Sequence, residues 1–332
     1  MNSIKEKTEN DISATLKIPY YSGCTLKTTA KNFEDSAIAS AKVLGIELIE
    51  LPRWNCCGTV FSLAADDLIH HVAPIRNLIR VQEMYENGIV TGEHRLVTVC
   101  SMCFNTLKSA NMHVTENSEN LTTINEFMDR EENYKGEVEV LHFLELLREM
   151  ELEGIEKKRQ NSEDIPFAFN KIKKKVQHPL EDLKIAPYYG CMLLKPKEIG
   201  IDDPEDPSIQ GKLLEALGAD VIDNPYKKLC CGSYQTIRDR YAVAELAYDI
   251  LTHAKMAGAD AITTSCPLCA FNLDNRQKEV KEKYPDFEEI PVFYMTQLMA
   301  LAFGVDKKYF GFDLHYIDPV PLLKNKNHYE EG

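Results

Sequence analysis

The chain carries one short pattern twice, first as Ile18-Pro-Tyr-Tyr-Ser-Gly-Cys24-Thr-Leu-Lys27 and again as Ala186-Pro-Tyr-Tyr-Gly-Cys191-Met-Leu-Leu-Lys195. Each copy starts as an apolar run typical of a strand and reaches a cysteine directly after a glycine. A Cys-Cys-Gly triplet and a Cys-x-x-Cys pair follow in both places, and matching cysteines lie 166 to 174 residues apart. This regular offset indicates an internal duplication. The repeated cysteines are Cys24, Cys56, Cys57, Cys100 and Cys103, then Cys191, Cys230, Cys231, Cys266 and Cys269.

Strand and helix patterns alternate in both halves of the chain. Short apolar runs precede each cysteine motif, and residues at helical spacing separate them, such as Ile209, Leu213 and Leu217 before Gly218. Longer helices are predicted after the triplets, over Leu68 to Ile79 and over Ile237 to Leu251. The order predicts an α/β fold of two pseudo-symmetric, Rossmann-like halves with mainly parallel sheets. The predicted domains are residues 16–147 and 183–305, joined by a charged helical linker over 148–182 and followed by a tail over 306–332.

The cysteines are expected to meet at one edge of each sheet. In a parallel sheet the loops after the strands share the carboxyl edge, so cysteines that are distant in sequence become neighbours. Each Cys-x-x-Cys pair is predicted to open a helix, with Pro267 in the first turn, and a helix N-terminus stabilises an anionic thiolate.

Five thiols in each half favour a polynuclear iron cluster. A structural zinc ion takes four ligands, which would leave one cysteine of each half without a metal. The adjacent side chains of a Cys-Cys pair diverge and suit two metal atoms better than one. Gly58 and Gly232 would let a cluster or substrate approach the backbone. Zinc and a thioredoxin-like dithiol remain alternatives, although a dithiol explains neither the triplet nor the duplication.

Composition excludes several classes of protein. The formal net charge of -14, without a long basic run, argues against nucleic-acid binding. Residues 1–15 lack the apolar core of a signal peptide, and no stretch of eighteen apolar residues occurs. A cytoplasmic location without a membrane span is therefore expected, and in that reducing compartment structural disulfides are not expected.

The two sets of cysteines resemble those of the cysteine-rich "CCG" domain family, and residues 16 to 305 look like the B subunit of heterodisulfide reductase, in its bacterial form. The resemblance implies a non-cubane 4Fe-4S cluster in each half, two per chain, held by the ten cysteines. It also implies that a small-molecule disulfide is split between the clusters, or formed from two thiols in reverse. Electrons would come from the iron-sulfur C subunit and the flavin-bearing A subunit of an electron-bifurcating complex of an anaerobe. A hydrogenase, formate dehydrogenase or methylene-tetrahydrofolate reductase module is a further expected partner.

The chain departs from the methanogen members of that family beside the lone cysteines. Those proteins carry a histidine after the first cysteine of the second half, where this chain has Met192, and the matching residue of the first half is Thr25. The proton donor is therefore open, and catalysis is assigned to the cluster irons with Met192, Lys195, Gly58 and Gly232 as candidate neighbours. Lys195 and Lys27 are candidates for attracting an anionic substrate, and solvated lysines are the alternative.

Two other functions stay open. A non-catalytic electron-transfer subunit, as in succinate, glycolate or lactate oxidoreductases, would carry fused ferredoxin motifs or a membrane anchor, and the sequence shows neither. A structural zinc scaffold would be colourless and redox-silent. The sequence also leaves open whether the aromatic tail after Asp306 covers its own domain or a partner, and whether Trp54 lines the cluster cavity or packs.

Overall fold

The computed structural model describes residues 15–59, 68–152 and 168–330. Residues 1–14 of the N-terminal segment and residues 153–167 of the predicted charged linker lie outside the described residues.

The first half is built on a four-stranded parallel sheet in the order β2-β1-β3-β4. Helices connect consecutive strands, as parallel pairing requires. Its strands are β1 (Leu16–Tyr20), β2 (Ile46–Glu50), β3 (Arg95–Thr98) and β4 (Glu139–His142). Its helices are α1 (Lys31–Val43), α2 (Val72–Glu86), α3 (Ser101–Thr115), α4 (Ser118–Phe127) and α5 (Phe143–Leu152), with a 3₁₀ turn over Leu68–His71.

The second half repeats this topology with the order β6-β5-β7-β8, again all parallel. Its strands are β5 (Lys184–Pro187), β6 (Asp220–Val221), β7 (Ala261–Thr264) and β8 (Val292–Tyr294). Its helices are α6 (Asn170–Lys173), α7 (Ile209–Leu217), α8 (Arg240–Met256), α9 (Pro267–Asn275), α10 (Gln277–Lys283), α11 (Met295–Ala302) and α12 (Val320–Asn325). 3₁₀ turns span Ser233–Ile237, Lys307–Tyr309 and Phe312–Leu314. The two similar halves confirm the predicted α/β fold.

The two halves pack against each other through α1 and the start of α11. The rings of Phe33 and Tyr294 stack with centroids 4.2 Å apart, and the Ser36 and Thr296 hydroxyls are 2.7 Å apart. At a second contact, the Ser101 N–H donates to the Ser265 carbonyl at 2.9 Å. Both serines adjoin a cysteine, so this contact brings the cysteine edges of the two halves together.

The helix after the second triplet begins later than the sequence pattern predicts. Ile237, read as the first apolar position, lies in a 3₁₀ turn and is 88% exposed. The Asp239 carboxylate accepts from the Tyr241 and Ala242 N–H groups and so starts α8 at Arg240. The predicted positions Ala244 and Leu251 are buried, and Val243, Ala247, Ile250 and Ala254 widen this face. The other end of the predicted pattern fails, because Ile237 and Tyr241 are exposed.

The C-terminal tail covers its own domain. Phe312 contacts Phe293 edge to face with centroids 5.9 Å apart, and Phe310 and Phe312 are buried. The Tyr316 and Ile317 N–H groups both donate to the Asp274 carboxylate on α9 at 2.9 Å. This resolves the question that the sequence left open for the tail. Across the described residues, none of the helices combines the length and the apolarity needed to cross a membrane.

Candidate cysteine-lined metal centre

Each set of five cysteines lies in the loops at the carboxyl edge of its sheet. In the first half Cys24 follows β1, Cys56 and Cys57 follow β2, and Cys100 follows β3. The second half repeats the arrangement after β5, β6 and β7. Cys100 and Cys266 are the N-cap residues of α3 and α9, and Pro267 is in the first turn of α9, as predicted. Cys103 and Cys269 therefore sit in the first turn of these helices, where exposed N–H groups favour a negative ligand.

The sulfur atoms approach each other in corresponding pairs. In the first half Cys57 Sγ is 3.7 Å from Cys103 Sγ, and Cys24 Sγ is 3.9 Å from Cys56 Sγ. In the second half Cys231 Sγ is 3.3 Å from Cys269 Sγ. The shared pairing means that both halves present the same arrangement of donors.

Buried polar side chains on α3 and α9 hold the loop of each triplet. Asn272 Nδ2 donates to the Cys231 carbonyl at 3.1 Å and to the Ser233 carbonyl at 2.8 Å. At the matching place, the Thr106 hydroxyl donates to the Thr59 carbonyl at 3.0 Å. Neither residue was predicted from the sequence, although a polar side chain on the apolar helix after Cys-x-x-Cys was a signal for both.

A tyrosine and a glycine shape the floor of each centre. The Tyr21 hydroxyl donates to the Asn55 carbonyl at 2.8 Å, and the Tyr188 hydroxyl donates to the Leu229 carbonyl at 2.6 Å. Each carbonyl belongs to the residue before a Cys-Cys pair. A Cβ atom on Gly23 would lie 3.1 Å from Cys103 Sγ, and one on Gly190 would lie 3.4 Å from Cys269 Sγ. Both glycines have positive φ, so the loop needs glycine for conformation and for space.

The tyrosines correct the alignment of the repeat. Matching Pro19-Tyr-Tyr to Pro187-Tyr-Tyr pairs Tyr20 with Tyr188. In the structure Tyr21, not Tyr20, is equivalent to Tyr188. The hydroxyl groups of Tyr21 and Tyr188 each donate to the loop of a Cys-Cys-Gly triplet, and their backbone N–H groups each donate to the neighbouring strand. The strand register agrees, because Tyr20 pairs with Val97 as Pro187 pairs with Thr263, so the two strands match without an extra residue and only the Pro-Tyr-Tyr letters are shifted by one.

The thiols strongly perturb one another. A hydrogen bond with Cys56, together with burial, raises the pKa of Cys24, and a hydrogen bond with Cys230, together with burial, raises the pKa of Cys191. Hydrogen bonds from Cys191 and Cys231 lower the pKa of Cys230. Neighbouring thiols cannot all ionise at neutral pH without a cation, and metal binding is what deprotonates such a set.

The two centres meet at the boundary between the halves. Ser101, which follows Cys100, and Ser265, which precedes Cys266, are hydrogen-bonded across the boundary, with their hydroxyl oxygens 2.8 Å apart. Asn105 on α3 reaches across and donates to the Met192 and Lys195 carbonyls, each at 2.7 Å. The loop of Cys191 in the second half is thus held by the first half.

A cavity of about 510 Å³ opens at this boundary. Four cysteines of the first half line it, and residues from the start of α9 and from the tail close its other side. The cysteines are Cys24, Cys57, Cys100 and Cys103. The structure therefore joins one cysteine set, the opposite half and the tail in a single concave site.

The candidate neighbours from sequence lie mostly outside this cavity. Met192 and Lys195 do not line it, and at Gly232 a Cβ atom would meet Val243 at 2.8 Å, so the space there belongs to helix packing. Gly58 faces open space. Lys27 forms ion pairs with Glu34 at 2.7 Å and Glu50 at 2.9 Å. Trp54 packs edge to face on Tyr21 and donates to Glu50 rather than lining the cavity.

The donors suit a cluster better than a single ion. Among the residues that the structure describes, no three His, Cys, Asp or Glu side chains form a group that could hold one metal ion. The sulfurs instead form separate close pairs beside glycines at which a Cβ atom would lie 3.1 Å from Cys103 Sγ or 3.4 Å from Cys269 Sγ. Five thiols spread in this way fit a polynuclear group held by thiolates.

Comparison with known proteins places these features in a family. Residues 18–108 and 185–274 each match the Cysteine-rich domain, CCG. The chain is 30% identical over 91% of its length to the 8-methylmenaquinol:fumarate reductase membrane anchor subunit of Wolinella succinogenes, covering 98% of that protein. It is 28% identical over 92% of its length to the B subunit of the Ferredoxin:CoB-CoM heterodisulfide reductase of Methanosarcina mazei, covering 96% of it.

A solved structure of a hypothetical protein from Helicobacter pylori shares the fold. It superposes with a TM-score of 0.67 at 13% identity over 90% of this chain, which spans about half of that protein's length (51%). The duplicated topology, the two cysteine sets and both matched segments agree, and the chain belongs to the CCG cysteine-rich domain family.

Proposed function

We propose that this chain is an iron-sulfur redox subunit that reduces a disulfide, or oxidises two thiols in reverse, between two non-cubane 4Fe-4S clusters. Cys24, Cys56, Cys57, Cys100 and Cys103 would hold one cluster, and Cys191, Cys230, Cys231, Cys266 and Cys269 the other. The observation that carries the proposal is the hydrogen-bonded contact of Ser101 with Ser265, which brings the Cys100 and Cys266 loops together across the boundary, beside a cavity that reaches one cysteine set. Two redox groups that face each other suit a reaction that needs two electrons.

When bound, such clusters would pass electrons one at a time and bind thiolate sulfur through iron. The chain's own residues set the geometry around them. Asn272 and Thr106 fix the triplet loops, and Asn105 fixes the loop of Cys191 from the opposite half. Burial of Cys57, Cys103, Cys231 and Cys269 keeps water from one side of each centre.

The electrons would come from partner proteins. Relatives named as the B subunit of heterodisulfide reductase support partners such as the iron-sulfur C subunit and the flavin-bearing A subunit, with a cytoplasmic complex as the setting. A hydrogenase, formate dehydrogenase or methylene-tetrahydrofolate reductase module would extend that complex.

A second candidate is an electron-transfer subunit without disulfide chemistry. The observation that favours it is the 30% identical relative named as a fumarate reductase membrane anchor subunit. In that role the clusters would relay electrons and the cavity would bind no sulfur compound.

The deciding experiment is anaerobic purification of the chain with its natural partners, followed by iron and sulfide analysis and electron paramagnetic resonance. About eight irons per chain, with a new paramagnetic signal when thiol is added to the oxidised protein, support the proposal. Zinc without iron would refute it. Iron whose signals ignore every thiol and disulfide would establish the electron-transfer candidate instead.

A further inference from the structure

The cavity between the halves has an apolar wall that neither cysteine set supplies. Leu268 and Phe271 of α9 form part of it, and Ile237 of the second triplet loop and Leu314 of the tail complete it. Its volume of about 510 Å³ includes the room that the first cluster would take beside the cysteines, and the apolar wall faces that room. A ligand that reached the cysteines would therefore contact mostly apolar side-chain atoms.

The tail part of this wall is fixed in position. The Asp274 carboxylate accepts from two tail N–H groups at 2.9 Å and faces His315 Nδ1 at 3.6 Å. On the other side of the ring, His315 Nε2 lies 3.3 Å from Asn32 Nδ2 of the first half and 2.9 Å from Gln297 Nε2. Gln297 Oε1 also lies 3.1 Å from His315 Nε2, so the ring can bond to Gln297 in either tautomer. The contacts of the His315 ring thus hold the tail against α1 and α11 and fix this wall of the cavity.

The described lining offers no unpaired cation, since its histidine, His315, faces the Asp274 carboxylate at 3.6 Å. Within the described ranges its lining includes neither lysine nor arginine, and Asp274 is its single carboxylate. The nearby cations are already paired: Lys27 with Glu34 and Glu50, and Arg276 with Glu279 at 3.2 Å. A carboxylate, sulfonate or phosphate on the ligand would be desolvated beside thiolates without a partner, which is costly.

We propose that the ligand of this cavity is an uncharged, largely apolar thiol or disulfide, and that the C-terminal tail is its specificity-determining wall. The sulfur chemistry rests on the function proposed above, and the preference for uncharged ligands rests on the lining alone. Reduction would take two electrons from the partner proteins and two protons from solvent, break the S–S bond and yield two thiols. A charged substrate would need a cation that the described wall lacks.

Two matched pairs of probes test this on the anaerobically purified, iron-loaded protein. The first pair is 4-methylbenzyl mercaptan and 4-(mercaptomethyl)benzoate, whose aliphatic thiols stay largely protonated at neutral pH, titrated by the change in the paramagnetic signal. The second is para-xylene and para-toluate, which lack sulfur and are titrated by calorimetry. The uncharged member of each pair is expected to bind about tenfold more tightly or better, a difference of about 1.4 kcal/mol.

A cation placed on the wall should reverse the preference. Leu314 is exposed enough for Leu314→Lys to leave the core intact, and this variant should tighten binding of both anions about tenfold. Tyr309→Lys is the control, because it adds the same charge to the tail outside the cavity and should change nothing. Equal binding of charged and uncharged probes, unchanged by Leu314→Lys, would overturn the inference. If neither thiol alters the signal while para-xylene is still preferred, the proposed sulfur chemistry fails and the uncharged cavity stands.

Discussion

At the scale of single residues, Gly23 shows how closely the backbone approaches the sulfurs. Its φ of 75° disfavours any side chain, and a Cβ atom would lie 3.1 Å from Cys103 Sγ. Gly45 has nearly the same φ, 76°, but nothing within 4 Å of its Cβ position. The two glycines therefore separate the cost of the backbone conformation from the cost of crowding a cysteine.

We expect both Gly23→Ala and Gly45→Ala to destabilise the protein by about 1 kcal/mol, because each forces alanine to a positive φ. Gly23→Ala alone should also displace Cys103 and lower the iron content by about half. Thermal unfolding and iron analysis of the two variants measure these effects. An iron content in Gly23→Ala equal to that of the wild-type protein would show that Gly23 is needed for the conformation of the turn and not for the cysteine centre.

Two adjacent tyrosines with opposite roles provide a second test at this scale. The Tyr21 hydroxyl donates to the Asn55 carbonyl, whereas the buried Tyr20 hydroxyl has no hydrogen-bond partner among the described residues. Tyr21→Phe should cost about 1 kcal/mol in the free energy of unfolding, and Tyr20→Phe should cost nothing or stabilise. Denaturant titration of both variants checks this. The reverse order would restore the alignment that pairs Tyr20 with Tyr188.

At the scale of elements, local chemistry made most of the fold predictable. Gly218, predicted to end a helix, adopts a left-handed φ of 90° at the end of α7, and Pro267 lies in the first turn of α9. These signals act within one or two turns, so the sequence carries them. The strand runs before each cysteine likewise predicted parallel sheets. In such a sheet the loops after the strands share one edge.

Contacts between distant elements could not be predicted in the same way. Asn105, Asp274 and His315 show no local sign that they meet partners from another half or from the tail. Ile237 was misread because its apolar side chain continues the helical spacing, although it precedes α8 and is exposed. The cysteines could be found because their chemistry is rare, while the walls around them depend on packing that no short pattern records.

The stacked rings of His71 and His113 join the 3₁₀ turn before α2 to α3 and predict a pH dependence. The ring centroids are 4.5 Å apart, and burial, followed by the effect of His113, lowers the pKa of His71 to about 4. Above pH 6.5 the ring is neutral in both states, so it contributes no pH dependence. Below that value the unfolded chain binds the proton first, and stability falls until the pH reaches about 4.

We expect His71→Phe, which keeps a ring against His113, to remove at most about 1.4 kcal/mol per pH unit of this loss. Unfolding midpoints of the wild-type and variant proteins between pH 7 and 4 give the difference, in which acid effects common to both cancel. Parallel curves over this range would contradict the assignment of the loss to His71.

At the scale of the whole molecule, the boundary between the halves is part of each centre. Asn105 belongs to the first half, yet its amide holds the Met192 and Lys195 carbonyls around Cys191 in the second. Asn105→Asp would set a carboxylate against two carbonyl oxygens in place of a donor. We expect a loss of about 2 to 4 kcal/mol in stability and displacement of the Cys191 loop, because buried acceptors lose their partner.

The iron lost in Asn105→Asp should come from the second half although the substitution is in the first. Adding Cys231→Ser to Asn105→Asp should remove no further iron, since both substitutions act on the cluster of the second half. Adding Cys57→Ser instead should remove nearly all the iron of the chain. Asn111→Asp is the matched control on α3, because Asn111 Nδ2 donates to the Val138 carbonyl at 2.8 Å within the first half. If Asn105→Asp and Asn111→Asp lose the same amount of iron, the loss reflects an added charge on α3 and not the contact of Asn105 with the second half. If only Asn105→Asp empties the second centre, the first half builds part of the second half's site, and the second half is not expected to hold its cluster alone.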